Sequence, residues 1–340
     1  MVTAPPVVTW SEAVRGFVLH KKAVRSPRTA IFYRNYATNL ANWADSQNLP
    51  LDAFTKRHLD EFLVYRAEQG RSQTTPHHDA LVATVLFEWC KRNDLLDRDP
   101  LAEYKVRNAP SPHKYMPSAD DVQKFLQALL GFYDPAQNPE ARFCAPAKRS
   151  FYRDRNYAVE LVKLDTACRI GEILNFKVLD YQTSGGDHQL AVREAKGREP
   201  RILPVSRECA QAIDQWLKIR RRIMSNAPEC EDEGWLFVSE TGGRMNEGNY
   251  LRGIKKVLEY GELPKGINNH SQRRFSLNNM AKDENGGLLF AQGMAGHKDP
   301  KTTLIYLKID GDYLRERHEK VGVVRGILHS NRSMKRKRLV

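Results

Sequence analysis

Two arginines stand in settings that suit the handling of a phosphodiester. Arg169 lies in LDTACRIGEIL, a charge among apolar residues, and Glu172 follows three positions later, where its carboxylate could orient the guanidinium on a helical turn. Arg273 lies in HSQRR, three residues after His270, so that both side chains would project from one helix face. Paired guanidinium groups neutralise the charge that develops on phosphate oxygens. The alternatives are a buried ion pair for Arg169 and an exposed basic helix end for Arg273.

Three further residues could complete such a site. Lys196 stands in EAKGREPRILPVS, between strand-like segments that would place its ammonium group on a hairpin. His297 precedes Tyr306 in AGHKDPKTTLIYLKI, and Asp299-Pro300 between them marks a turn that could bring both to one place. Taken singly, each has a structural alternative: a surface lysine at a turn, a hydrogen-bonding histidine, and a core tyrosine with its hydroxyl at the rim.

The elements that must position these residues are predicted to fall into two domains. Residues 1–104 predict a bundle of four helices, three of which begin at capping signals: Thr9 with Glu12, Ser26-Pro27 and Thr55. Residues 105–117 are rich in proline and basic side chains and predict a linker. Residues 118–320 predict a mainly α domain with a small β-sheet from the alternating segment 188–205, and 321–340 predict a basic tail.

Composition narrows the classes of partner and chemistry. The formal net charge of +13 attracts polyanions, which puts nucleic acid first among partners, with a basic surface kept for solubility as the alternative. The absence of a long apolar run argues against a membrane span, and the N-terminal residues do not resemble a secretory signal, so we expect a cytoplasmic location. The five dispersed cysteines predict free thiols, and neither they nor the pair His77 and His78 have ligand spacing for a metal.

Taken in order, the six candidate residues resemble the catalytic series of the tyrosine recombinases of the phage integrase family. The series comprises Arg169, Lys196, His270, Arg273, His297 and Tyr306. The segment WLFVSETGGRMN resembles the stretch that precedes the second arginine of that family, and the N-terminal helices resemble its core-binding domain. The sequence departs from the family at Gln272 and Arg274, where leucine and histidine are usual, and these departures could alter how the helix packs or approaches DNA.

The resemblance implies a mechanism without metal or cofactor. Tyr306 would attack the scissile phosphorus and form a 3′-phosphotyrosine, with His270 as the base. Lys196 would protonate the leaving 5′ oxygen, Arg169 and Arg273 would hold the phosphate, and His297 would donate a hydrogen bond to a non-bridging oxygen.

The resemblance also implies the partners. Double-stranded DNA would be the substrate, and a homotetramer on two DNA sites would exchange strands through a Holliday junction. The chain resembles a simple Xer-like recombinase without an arm-binding domain, and its C-terminal segment would contact a neighbouring subunit or touch DNA as a basic arm. The DNA sequence, the accessory proteins and the choice between integration, excision and dimer resolution stay open. A DNA-relaxing enzyme of the type IB topoisomerase kind and a non-catalytic DNA-binding protein with the same fold are the alternatives.

Overall fold

A computed structural model describes residues 8–69, 74–106, 115–193, 200–226, 231–283 and 286–304. The chain divides into two compact units, Met1–His113 and Lys114–Val340. The fold is mainly α-helical with a small three-stranded sheet, as the sequence predicts. Lys196, Tyr306, the tail over 321–340 and residues 107–114 of the predicted linker lie outside the described residues. Within the described part of the chain, no helix is long and apolar enough to cross a membrane.

The first unit contains the four predicted helices. They are α1 (Trp10–Val24), α2 (Pro27–Ser46), α3 (Lys56–Glu68) and α4 (Thr74–Arg92). Thr9, Ser26 and Thr55 each cap a helix through a side-chain oxygen that accepts a backbone N–H, which confirms the three start signals. A core rich in aromatic side chains joins the helices, and Leu86 of α4 belongs to it, whereas Leu81 of the same helix lies at the surface.

The second unit contains longer helices around a shared apolar core. They are α5 (Ala119–Phe132), α6 (Pro146–Thr166), α7 (Ile170–Ile173), α8 (Arg207–Ser225), α9 (Glu247–Tyr260), α10 (Asn269–Lys282), α11 (Gly287–Ala295) and α12 (Pro300–Leu304). Helix α6 packs against α5, α8 and α10, and Trp216 of α8 is fully buried in the core. Pro146 occupies the first turn of α6, so the segment between α5 and α6 comprises residues 133–145.

The sheet is antiparallel, with strands β1 (Tyr181–Ser184), β2 (Asp187–Val192) and β3 (Arg201–Pro204) in that order. The strand pair predicted over 188–205 corresponds to β2 and β3, and Leu190 pairs with Leu203 on the buried side. Strand β1 was not predicted, because its sequence YQTS is polar and mostly exposed and shows no apolar alternation.

A short turn before Arg169 separates α6 from α7. Helix α6 ends at Thr166, and Ala167 then takes a left-handed conformation with φ of 50° and ψ of 24°. A residue with a Cβ rarely adopts this conformation, so the surrounding packing must hold it there. The turn places Cys168 inside the core and brings Arg169 to the start of α7.

Candidate functional site

Arg169 and Glu172 form the first part of the site, at the start of α7. The Glu172 carboxylate accepts a hydrogen bond from the Arg169 backbone N–H at 2.9 Å and forms an ion pair with Arg169 Nη1 at 3.8 Å. The orienting role predicted for Glu172 is therefore confirmed. Nearly a third of the Arg169 side chain is exposed, whereas the Glu172 side chain is buried. A partly exposed guanidinium is therefore held by a buried carboxylate.

Arg201, which the sequence analysis did not single out, is the second partner of Glu172. Its Nη2 lies 3.3 Å from Glu172 Oε2, and its Nε donates to the Met294 carbonyl at the end of α11. The residue thus joins β3 to both α7 and α11. It stands in the same EAKGREPRILPVS segment as Lys196, and the one signal for it is a charge at the start of a strand-like segment.

Arg273 comes to the same place from α10 and is almost completely buried. Its Nη1 donates to the carbonyl of Ala167, and its Nη2 donates to the carbonyl of Ala295 at 3.1 Å. The left-handed turn after α6 aims the first of these carbonyls, and the end of α11 supplies the second. Backbone groups of two separate segments therefore fix the direction of this guanidinium.

His297 follows α11 and closes the site. Its backbone carbonyl accepts a hydrogen bond from Gln292 Nε2 at 3.0 Å. The ring lies between two side chains: Nε2 is 3.1 Å from Arg273 Nη2, and Nδ1 is 2.9 Å from Thr303 Oγ1. An open cleft of about 410 Å³ lies beside the ring and is also lined by Arg201 and Lys298.

Gly296 is required next to His297 for two reasons. Its φ of +63° is in the left-handed region, where it caps the C-terminus of α11. A Cβ at this position would also lie 2.8 Å from Nη1 of Arg201. The glycine therefore lets Arg201 approach the turn that carries the histidine.

The charges of the site determine the ionisation of His297. Burial and the nearby Arg273, Arg169 and Arg201 guanidinium groups lower the pKa of His297 to about 4, and Glu172 opposes this shift. The imidazole is therefore neutral at physiological pH. Three guanidinium groups beside a single described carboxylate favour an anion close to them, and a phosphate group is such an anion.

The structure brings Arg169, Arg273 and His297 together. His270 and Arg273 lie on the same helix but differ in exposure to solvent. His270 lies on the first turn of α10 and is exposed, whereas Arg273, one turn later, is buried. Asn268 caps this turn by accepting from the backbone N–H groups of His270 and Ser271. The predictions for Lys196 and Tyr306 concern residues outside the described part of the chain.

The departure at Gln272 belongs to a buried polar network beneath the site. Lys163 Nζ lies within 2.9 Å of both carboxylate oxygens of Glu160 and 2.6 Å from Gln272 Oε1. Gln272 Nε2 donates to Glu160 at 3.1 Å, and the hydroxyl of Tyr250 donates to the same carboxylate. Gln272 therefore ties α10 to α6 by hydrogen bonds next to Arg273, and Arg274, the second departure, is half-buried.

Comparisons with known proteins agree with this fold. The profile of the phage integrase family matches residues 141–311. The tyrosine recombinase XerC of Pseudomonas fluorescens is 25% identical over 292 residues, which cover 85% of this chain and 88% of that protein. The crystal structure of the XerH site-specific recombinase bound to palindromic difH substrate, in a post-cleavage complex, matches with a TM-score of 0.67 and 16% identity over 91% of this chain and 83% of that chain.

A lambda integrase tetramer bound to a Holliday junction also matches, with a TM-score of 0.63 and 16% identity over 90% of this chain and 79% of that chain. The family profile covers half of the chain and includes every element of the site described above. The chain therefore belongs to the phage integrase family, as a tyrosine recombinase of the Xer-like type whose activity is site-specific recombination.

We predict that Lys163→Met destabilises the protein by about 3 to 5 kcal/mol, because it leaves the Glu160 carboxylate buried without its cation. Urea unfolding of the full chain, followed by circular dichroism, measures the loss. The matched control is Lys124→Met, which removes an exposed ion pair with Asp120 on α5 and should cost less than about 0.5 kcal/mol. Equal stability losses for the two variants would contradict the importance of the network.

We predict that His297→Gln makes the protein less sensitive to acid. The pKa of His297 is about 4 in the folded chain and 6.5 in its ordinary range, so the unfolded chain binds the proton first as the pH falls from 6.5 to 4. Between pH 7 and pH 5 this linkage lowers the stability of the native protein by about 1 to 2 kcal/mol.

The glutamine variant lacks this contribution. Its urea midpoint should therefore fall less between pH 7 and pH 5 than that of the unsubstituted protein. Parallel pH dependence of the two proteins would mean that His297 titrates normally in the fold.

Proposed function

We propose that the chain cuts and rejoins double-stranded DNA with Tyr306 as the nucleophile. The observation that carries this proposal is the meeting of Arg169, Arg273 and His297, from three separate segments, in one site where guanidinium charge exceeds carboxylate charge. Groups fixed in this way stabilise charge on the non-bridging oxygens as it develops, without reorganising during the reaction. The proposal therefore assigns the phosphate-holding role to these three residues.

The proposed reaction exchanges one phosphate ester bond for another, so the bond energy is kept for rejoining. The Tyr306 phenol oxygen forms a bond to phosphorus while the bond from phosphorus to the 5′ oxygen breaks, which leaves a 3′-phosphotyrosine. His270 takes the phenol proton, and its exposed place on α10 leaves the ring accessible to a DNA-bound site. Lys196 gives a proton to the 5′ oxygen. The reverse steps with a second DNA end restore the phosphodiester and release the tyrosine.

Arg169 is the guanidinium best placed to meet the incoming phosphate. Its side chain is partly exposed, and its Nη1 makes no hydrogen bond within the described part of the chain, although it lies 3.8 Å from Glu172. A buried N–H group without an acceptor is stabilised when it donates to one, such as a phosphate oxygen. Arg273, which is held by two carbonyls, would provide the rigid second contact.

The proposed function also implies an oligomeric assembly and its partners. We propose a homotetramer on two DNA sites that passes through a Holliday junction, with any accessory proteins acting on that complex in the cytoplasm. The net charge of +13 supports a large contribution of phosphate contacts to DNA affinity. The relatives that match this chain over most of their length include recombinases solved on DNA.

We predict that the full chain forms a covalent adduct with a nicked suicide duplex carrying a candidate site from the DNA that flanks the gene. Denaturing electrophoresis detects the adduct, and Tyr306→Phe should abolish it, because no phenol oxygen remains to attack phosphorus. The matched control is Tyr260→Phe, which removes a surface hydroxyl and should leave the adduct intact. An adduct that persists in Tyr306→Phe would assign the nucleophile to another residue.

We predict that Arg169→Ala slows adduct formation by about 10²- to 10³-fold, because one preorganised donor to the developing charge is lost. The control is Arg222→Ala, which removes the same charge from an exposed position in the last turn of α8. Single-turnover rates at saturating DNA separate catalysis from binding. Equal rates for the two variants would remove Arg169 from the proposed reaction.

A further inference from the structure

Thr303 lies directly against the proposed phosphate-holding histidine. The residue is in α12, is buried, and stands three positions before Tyr306 in the sequence. Its Oγ1 is 2.9 Å from His297 Nδ1, while the other ring nitrogen is 3.1 Å from Arg273. Each nitrogen of the ring therefore faces a different kind of partner.

These partners fix the position of the ring hydrogen. A guanidinium only donates, so Nε2 of His297 accepts from Arg273. Burial and the charges of Arg273, Arg169 and Arg201 lower the pKa of His297 to about 4, with Glu172 opposing, so the ring is neutral. A neutral ring carries a single N–H, which must then be on Nδ1 and donate to the Thr303 hydroxyl.

This tautomer cannot donate to a phosphate oxygen from Nε2. The proposed role of His297 requires the hydrogen on Nε2 and a lone pair on Nδ1, which in turn needs a donor. A threonine hydroxyl accepts in the first state and donates in the second by rotating its own hydrogen. The change leaves the proton count unchanged, because Nδ1 gives one proton to water and Nε2 takes one from water.

We infer that Thr303 is a positioning residue that holds His297 in the Nδ1–H tautomer in the free protein and supports the Nε2–H tautomer when a phosphate enters. This inference rests on the proposed function. It also links the phosphate contact to the segment that leads into Tyr306, since both α12 and that segment follow His297 without interruption. The site would then acquire its donor when DNA is bound.

The first test reads the tautomer directly. The full chain is labelled with ¹⁵N in its histidines, and the His297 signals are assigned with His297→Gln. Long-range proton–nitrogen correlations at pH 7 should show the Nδ1–H tautomer in the free protein. Tyr306→Phe bound to the suicide duplex should show Nε2–H. A free protein in the Nε2–H form, or a charged ring at pH 7, would overturn the inference.

The second test uses variants at Thr303. Thr303→Val keeps the shape of the side chain but loses the hydroxyl, and it should slow adduct formation by about 10- to 100-fold, with DNA affinity unchanged and the protein still folded at the assay temperature. Thr303→Ser should restore the rate. Thr302→Val, a half-buried neighbour on the same helix, is the matched control and should behave as the unsubstituted protein.

The outcomes separate this inference from the function on which it rests. A Thr303→Val variant that cleaves at the normal rate overturns the positioning role, and so does a serine variant as slow as the valine variant. If the unsubstituted protein forms no adduct, the proposed function fails. The tautomer of His297 in the free protein then still shows whether the Thr303 hydroxyl accepts a hydrogen bond from the ring.

Discussion

The site depends on the confinement of three guanidinium groups beside one carboxylate. Arg169 and Arg201 share Glu172, whereas Arg273 donates to the backbone carbonyls of Ala167 and Ala295. Cations packed this closely repel one another in a medium of low dielectric constant. The fold must therefore supply the energy that keeps them in place, and an anion bound beside them would relieve part of that repulsion. Under the proposed function, the site would favour a phosphate before DNA arrives.

The polar network beneath the site explains how one of these cations is kept in position. Glu160, Lys163 and Gln272 are buried between α6 and α10, and Tyr250 adds a hydroxyl from α9. Burial lowers the pKa of Lys163, and the direct contact with Glu160 opposes part of this shift. A network whose members all have partners allows one relative placement of its helices, whereas an apolar contact allows several. Because Gln272 directly precedes Arg273, the network also fixes the part of α10 that carries this arginine.

Local signals in the sequence predicted the helices and one ion pair of the site. Thr9, Ser26 and Thr55 act on backbone groups a few residues away, and Glu172 reaches Arg169 across a single turn, so the spacing in the chain is sufficient to find them. Arg201 and the partners of Gln272 were not predicted, because their contacts join segments distant in sequence that become neighbours only after folding. Strand β1 was missed for a related reason, since its pairing with β2 rather than its own composition makes it a strand. The catalytic roles assigned to the six residues of the series, Arg169, Lys196, His270, Arg273, His297 and Tyr306, stay predictions.

Burial and the positive charges around His297 together lower its pKa and keep it neutral, and the charges have a second consequence. Positive charges that disfavour an imidazolium also favour any anion brought beside them, which includes both a phosphate and a phenolate. A tyrosine hydroxyl ordinarily ionises at a pH near 10, so its attack on phosphorus requires such a field or a base, and a site of this kind supplies the field. The same arginines would then serve two purposes: they hold the phosphate oxygens and they stabilise the attacking oxygen. This accounts physically for a cluster of buried and half-buried cations whose mutual repulsion would otherwise only weaken the fold.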